Sequence, residues 1–136
     1  MKYIFLLLLL GASHSLFAQT IIEDTSGHVF ARISDDGIVK NSRSHIVGYF
    51  KENGVIRNSR SQVLGYIQGN YSIEDSSNNT IGYVLDNGAV ENSAHHIIGW
   101  VSAGHVEDKN SNTIGRYNKT GNIFQVAAYW FFFKFK

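Results

Sequence analysis

The chain contains no cysteine and no proline. Without a thiol there is no disulfide scaffold, no thiolate zinc site, no cysteine nucleophile and no lipid-anchored cysteine. Without proline, the turns fall to glycine, asparagine and aspartate, and glycine occurs 13 times in 136 residues. Charge of either sign is scarce: 12 Lys+Arg face 11 Asp+Glu, a net charge of +1. The basic excess of a nucleic-acid binder is therefore missing. Long hydrophobic runs are missing too. The apolar stretch Tyr3–Ala12 is about half of the roughly 20 residues a membrane-spanning helix needs. There is no G-x-S-x-G nucleophile elbow and no phosphate-binding glycine loop. Beyond residue 18 no segment shows helical periodicity. The apolar fraction, 43%, still suffices for a core, and the length fits one domain.

What is present begins with an export signal. Met1-Lys2 is followed by Tyr3-Ile4-Phe5, five leucines and the small-residue stretch Gly11 to Ala18. This is a charged start, a short apolar run and a small-residue exit. Cleavage after Ala18 leaves Gln19 first; a cut after Ser13 is the alternative. Removing Lys2 with the leader takes one base from the twelve and no acid, so eleven of each sign remain. A leader without a lipid-accepting cysteine points to a periplasmic or secreted protein. Export without a disulfide points to a bacterium.

Residues 19–136 read as one domain built from a single motif written repeatedly, a signal that decides fold class. Gly37–Asn53 and Gly54–Asn70 are both seventeen residues long and share Asn-Ser-Arg-Ser. Copies begin at residues 20, 37, 54, 71, 88 and 104. A divergent seventh begins at 121. The copy Gly88–Ala103 is one residue short. In a numbering of 1 to 17, position 3 is always Ile or Val, position 5 is Asp or Asn, and position 11 is apolar. Position 12 reads Ala31, Gly48, Gly65, Gly82, Gly99, Gly115. Position 13 reads Arg32, Tyr49, Tyr66, Tyr83, Trp100, Arg116.

Each copy predicts two short strands, over positions 2–5 and 10–14, rich in β-branched and aromatic residues. Asn53-Gly54, Asn87-Gly88 and Asp36-Gly37 predict type I′ hairpin turns. The Asp or Asn at position 5 predicts a turn in which its side chain bonds to the backbone two residues on. One hairpin cannot bury its own apolar face. The fold class is therefore all-β, with tandem hairpins arranged radially in a closed pseudo-symmetric array; the alternative is a linear β-solenoid. A strand glycine marks close backbone approach. One per repeat, at Gly48, Gly65, Gly82, Gly99 and Gly115, favours the ring, as does the lack of polar capping repeats.

The unit x-V-x-N-S…I-G-Y-V…N-G, with Ala127-Ala128 followed by the aromatic run Tyr129 to Phe133, resembles the bacterial 5-fold β-flower proteins over essentially all of residues 20–136. The resemblance implies small exported β-hairpin proteins about a pseudo-symmetry axis. It implies no established activity and brings no catalytic motif. The repeats here number six plus the divergent seventh.

Candidate chemistry follows the columns. Position 9 reads His28, His45, Gln62, Asn79, His96, Asn112. Three imidazoles at one level make a zinc set, but half the column is amide, and the reading adopted is polar turns. Asp24, Asp75 and Asp108 offer oxygen ligands for calcium, but the Asx turn explains Asp and Asn alike and is the reading adopted. Glu23, Glu74, Glu91 and Glu107 follow the repeat instead of breaking it, so they read as a solvated strand face and not as a glycosidase pair. No cofactor is implied. The aromatic column Tyr49, Tyr66, Tyr83 and Trp100 reads as core beside the glycines; its alternative is an outward strip for stacking sugars or peptides. The tail, residues 127–136, reads as a buried strand closing the array or filling its axis, the alternative being contact with a membrane or partner. The expected function is that of a non-catalytic exported structural or binding module, whose partner is a cell-envelope glycan or protein.

Overall fold

Position 3 places one β-branched residue of every repeat on the same side of the sheet. In the computed structural model, which describes residues 19–118 and 120–135, all six of them are fully buried: Ile22, Val39, Ile56, Ile73, Val90 and Val106. They face the inside of a closed, twelve-stranded antiparallel barrel. The leader expected over residues 1–18 lies outside the described residues. Each repeat supplies two strands of four to six residues, as in Ile38–Asn41 and Ile46–Phe50 of the second copy. Consecutive strands pair all the way round. The first, β1 (Thr20–Glu23), meets the last, β12 (Thr113–Tyr117), with Ile22 opposite Tyr117. Closure removes the free edges that a linear stack would expose. The array is a ring and not a solenoid.

All six hairpins share an irregularity that the repeat alone did not predict. The register skips one residue at position 11: Val47 lies between the pairs Lys40–Ile46 and Val39–Gly48, and Phe30, Leu64, Ile81, Ile98 and Ile114 do the same. Such a bulge re-aims side chains and raises local twist. It lets position 11 pack against the core beside positions 12 and 14, where strict alternation would send it outward: Val47 is buried and Leu64, Ile81, Ile98 and Ile114 are partly buried, while Phe30 of the first copy stays exposed.

The turns differ from expectation in a definable way. Lys51 and Val55 bracket a three-residue loop, closed by Lys51 N–H to Val55 O (2.9 Å) and Gly54 N–H to Lys51 O (3.0 Å). Gly54 sits at φ +86° and Asn53 is not left-handed. This is a type I turn followed by a left-handed glycine, not the predicted type I′. Gly37 and Gly88 do likewise. The exception is the shortened fifth repeat. Its missing residue leaves a two-residue loop between the paired Ser102 and His105, and both Ala103 (φ 51°) and Gly104 (φ 84°) are left-handed. One deletion thus converts the loop to the type I′ form, which needs positive φ twice.

The tail is not a strand. Residues Ile123–Ala127 form one α-helical turn, α1, capped by Asn122, whose side chain accepts from the N–H groups of Phe124 (2.9 Å) and Gln125 (3.2 Å). Ala128–Phe132 continue as a π-helical turn, closed by Phe133 N–H to Ala128 O (2.9 Å). Val126, Ala127 and Ala128 are fully buried. Phe133 is buried as well, Tyr129, Trp130, Phe131, Phe132 and Phe135 are partly buried against the core, and Lys134 is exposed, so the tail plugs the barrel with its rings while one side of it meets solvent. The expected burial is met at Ala127, Ala128 and Phe133 and only in part at the other aromatics; the expected strand is replaced by helix, because a single segment within a closed barrel finds no sheet edge to pair with and must satisfy its own backbone.

Candidate functional site

The glycine column and the tail meet ring by ring. A Cβ built on Gly115 would fall on the Trp130 ring, one on Gly99 on Phe131, one on Gly82 on Phe132, one on Gly65 on Phe133, and one on Gly48 on Phe135. None of these rings would be more than 2.5 Å away. Successive tail aromatics therefore rest on successive hairpins round the ring. An α-helix turns about 100° per residue, whereas neighbouring hairpins of a six-hairpin ring stand 60° apart. The wider π turn takes a smaller angular step, which brings consecutive side chains closer to that spacing. The π-helix, usually a single-turn feature, has a packing reason here. Trp130 also meets Phe30 (centroids 5.8 Å), and Phe135 meets both Phe50 (5.5 Å) and Tyr129 (5.7 Å). Burial pushes the Tyr129 phenol above its ordinary pKa.

With the interior filled by the tail, position 13 takes the other side of the sheet. Tyr49 is opposite Ile38 on one side and Arg57 on the other, while its neighbour Gly48 pairs with the fully buried Val39. Tyr66 lies beside Glu74, Tyr83 beside Glu91 and Trp100 beside Glu107. All four aromatics are half-buried. The column read as core is thus an outer belt on four consecutive hairpins. The sequence signal was the glycine: if position 12 faces in, position 13 faces out. Polar partners steady the belt. The Lys51 ammonium lies 4.9 Å from the centroid of Tyr49. His95 stacks on Tyr83 at 4.2 Å, and its Nδ1 is 3.3 Å from Glu91.

Position 5 closes every within-repeat turn. Asn41 Oδ1 accepts from Arg43 N–H (2.9 Å) and His45 N–H (3.1 Å); Asp24, Asn58, Asp75, Asn92 and Asp108 repeat the pattern. The carboxylates of Asp24, Asp75 and Asp108 are held below their ordinary pKa chiefly by the backbone N–H four residues on. Position 8 is left-handed throughout: Gly27, Ser44, Ser61, Asn78, His95 and Ser111. The position-9 histidines, His28, His45 and His96, are exposed on separate loops. Among the described residues no cluster of three or more His, Asp or Glu is placed to hold a metal ion. Glu23, Glu74, Glu91 and Glu107 lie on the outer wall, each on a different hairpin. No helix among the described residues is long and apolar enough to cross a membrane.

Taken together, these features define a self-plugged up-and-down β-barrel that carries an aromatic belt on its outer wall. The family described as 5-fold beta-flower protein matches residues 19–134, and the chain belongs to it. In this member six hairpins close the ring, five with a glycine at position 12 and one with Ala31. No curated protein and no solved structure shows detectable similarity to the chain.

Proposed function

We propose that the mature protein is an exported, non-catalytic binding module of the bacterial cell envelope, and that the belt Tyr49, Tyr66, Tyr83 and Trp100 is its ligand surface. The observation that carries this reading is that the four aromatics lie on the outer wall in consecutive hairpins. Half-exposed rings recur at one level on every second strand, a regular array that scattered surface aromatics do not make. Glu74, Glu91, Glu107 and Arg57 beside the rings add hydrogen-bonding groups between them. Flat rings alternating with polar groups suit a glycan chain, whose sugar rings present C–H faces and hydroxyl edges. An extended peptide is the second occupant such a strip admits. The acids at positions 4 and 5 support a non-catalytic reading, since the turns and the outer strand face account for them without chemistry.

The test is cosedimentation of the mature protein with purified cell-wall glycan. The reading expects the wild type to sediment with it. It expects a variant with all four belt residues changed to Thr, which keeps strand propensity, to remain in solution with an almost unchanged melting temperature. Retention of that variant, or no sedimentation of the wild type, would overturn the belt as a glycan surface.

A further inference from the structure

On the barrel end formed by the between-repeat loops, the loop that enters the fourth copy departs from the pattern at two nearby positions. Where four other copies have glycine at position 1, the fourth has Tyr71, held at φ 73°. For a bulky residue the left-handed region costs roughly 1–2 kcal/mol, and strain of this kind clusters at functional sites. Tyr71 is 41% exposed, and its ring stacks on Phe124 of α1 with centroids 6.0 Å apart and planes 17° apart. Two residues earlier, Gly69 stands where other copies have Asp35, Glu52 and Asp86. Nothing in the backbone or the packing calls for glycine there: its φ is not left-handed and a Cβ would meet no atom within 4 Å. Both departures line the same cleft, of about 600 Å³.

We propose that this cleft is a binding site for a neutral sugar ring, separate from the outer belt. Tyr71 and Phe124 form an aromatic wall. Gln68, positioned by its bond to Glu74 (3.0 Å), and Gln125 supply amide groups that both donate and accept. The lining holds one cation, Lys51, and one anion, Glu52. A phosphate or an ammonium ligand therefore meets no charge excess, whereas a polyol ring meets an apolar face and amide edges together. The volume lies within the range of small-molecule sites. The bare Gly69 keeps the mouth open, and the strain at Tyr71 is what places a ring where the repeat prescribes a glycine.

The experiment is amide NMR titration of the mature chain with neutral disaccharides (cellobiose, maltose and diacetylchitobiose) up to millimolar concentration. At least one is expected to give saturable shifts at Gly69, Tyr71, Phe124 and Gln125. Tyr71→Gly removes the wall and at the same time relieves the backbone, so it should raise the melting temperature while weakening binding at least about tenfold. Gly69→Asp restores the acid of the other copies and should weaken binding similarly; Tyr71→Phe should preserve it. Affinity unchanged in Tyr71→Gly, or no saturable shift at the four residues with any of the sugars, overturns the site. Shifts confined to Tyr49, Tyr66, Tyr83 and Trp100 also overturn it, while supporting the belt.

Discussion

The Phe132 ring lies against the α-carbon of Gly82, in the space that a side chain at residue 82 would need. The same virtual Cβ would lie 2.5 Å from the Glu91 carbonyl oxygen on the neighbouring hairpin. The glycine is thus required from two directions, by a mobile ring and by fixed backbone. The same double constraint holds at Gly48, Gly65 and Gly99, with Arg57, Glu74 and Glu107 supplying the carbonyl. A column that spaces repeats in the sequence is, in the folded chain, a set of sockets for one segment.

Gly82→Val should therefore destabilise by more than ordinary overpacking, which costs about 1–3 kcal/mol. Adding Phe132→Ala to it should cost less than Phe132→Ala costs alone, because removing the ring relieves part of the clash at residue 82, while the Glu91 carbonyl keeps the rest of it. Urea denaturation of both single variants and the double variant measures the coupling. Additive losses would show that residue 82 and the ring are energetically independent, contrary to the packing.

The left-handed position 8 gives a second test. Gly27 has open space around it, so Gly27→Ser changes backbone preference and little else. It should lower the melting temperature. Ser44→Gly and Ser61→Gly should raise it, with a gain in stability of up to about 1 kcal/mol each, because the relieved left-handed strain exceeds the extra freedom of the unfolded chain. Opposite signs at equivalent positions are the diagnostic, and a fall in all three variants would contradict it.

Much of the architecture was legible because repetition multiplies weak signals. One Val-x-Asn or Ile-Gly pair says little, but six copies at a seventeen-residue spacing define two strands, two turns and a common axis. What the repeat does not carry is whatever depends on the tail. Trp130 to Phe133 carry no 3.6-residue pattern because each of these rings seats on a different hairpin, so that consecutive positions, and not every third or fourth, must be aromatic. Once these rings are known to fill the axis, Tyr49, Tyr66, Tyr83 and Trp100 can only face outward; read without the tail, they looked like core. The bulges were hidden for a related reason: an apolar position 11 beside a glycine is compatible with either face until the register is seen. The cleft at Tyr71 was visible only as a missing glycine in the fourth copy.

Acid should reveal the three aspartate turns. Asp24, Asp75 and Asp108 have folded-state pKa values below their unfolded ones, mainly through backbone N–H donors. Their contribution is present above the unfolded pKa, near 4, and is lost as pH falls through the depressed folded value. Asn41, Asn58 and Asn92 make the same bonds and do not titrate. The triple variant Asp24→Asn, Asp75→Asn, Asp108→Asn should therefore lose less melting temperature than wild type between neutral pH and about pH 3. Identical losses in the two proteins would mean that the turn carboxylates do not contribute to acid unfolding.

The tail itself supplies the decisive stability test. Burying a Phe side chain contributes roughly 1.5–3 kcal/mol. Five aromatic residues from Trp130 to Phe135 rest on the socket glycines, so together they rival the net stability of a whole domain, roughly 5–15 kcal/mol. They are also what fills the barrel: without them the apolar ring of Val39, Ile56, Ile73 and Val90 would line an open lumen. Phe132→Leu keeps most of the volume and should cost less than Phe132→Ala, which is expected to cost about 3–5 kcal/mol. Deletion of residues 129–136 should give a chain that aggregates or binds a hydrophobic dye. In the intact protein the Phe133 amide, bonded to the Ala128 carbonyl inside the barrel, should be among the slowest to exchange its hydrogen. A truncated chain that stays monomeric and melts cooperatively near the wild-type temperature would show that the ring of hairpins stands without its plug, and the tail would then have to be explained by what it touches outside the barrel.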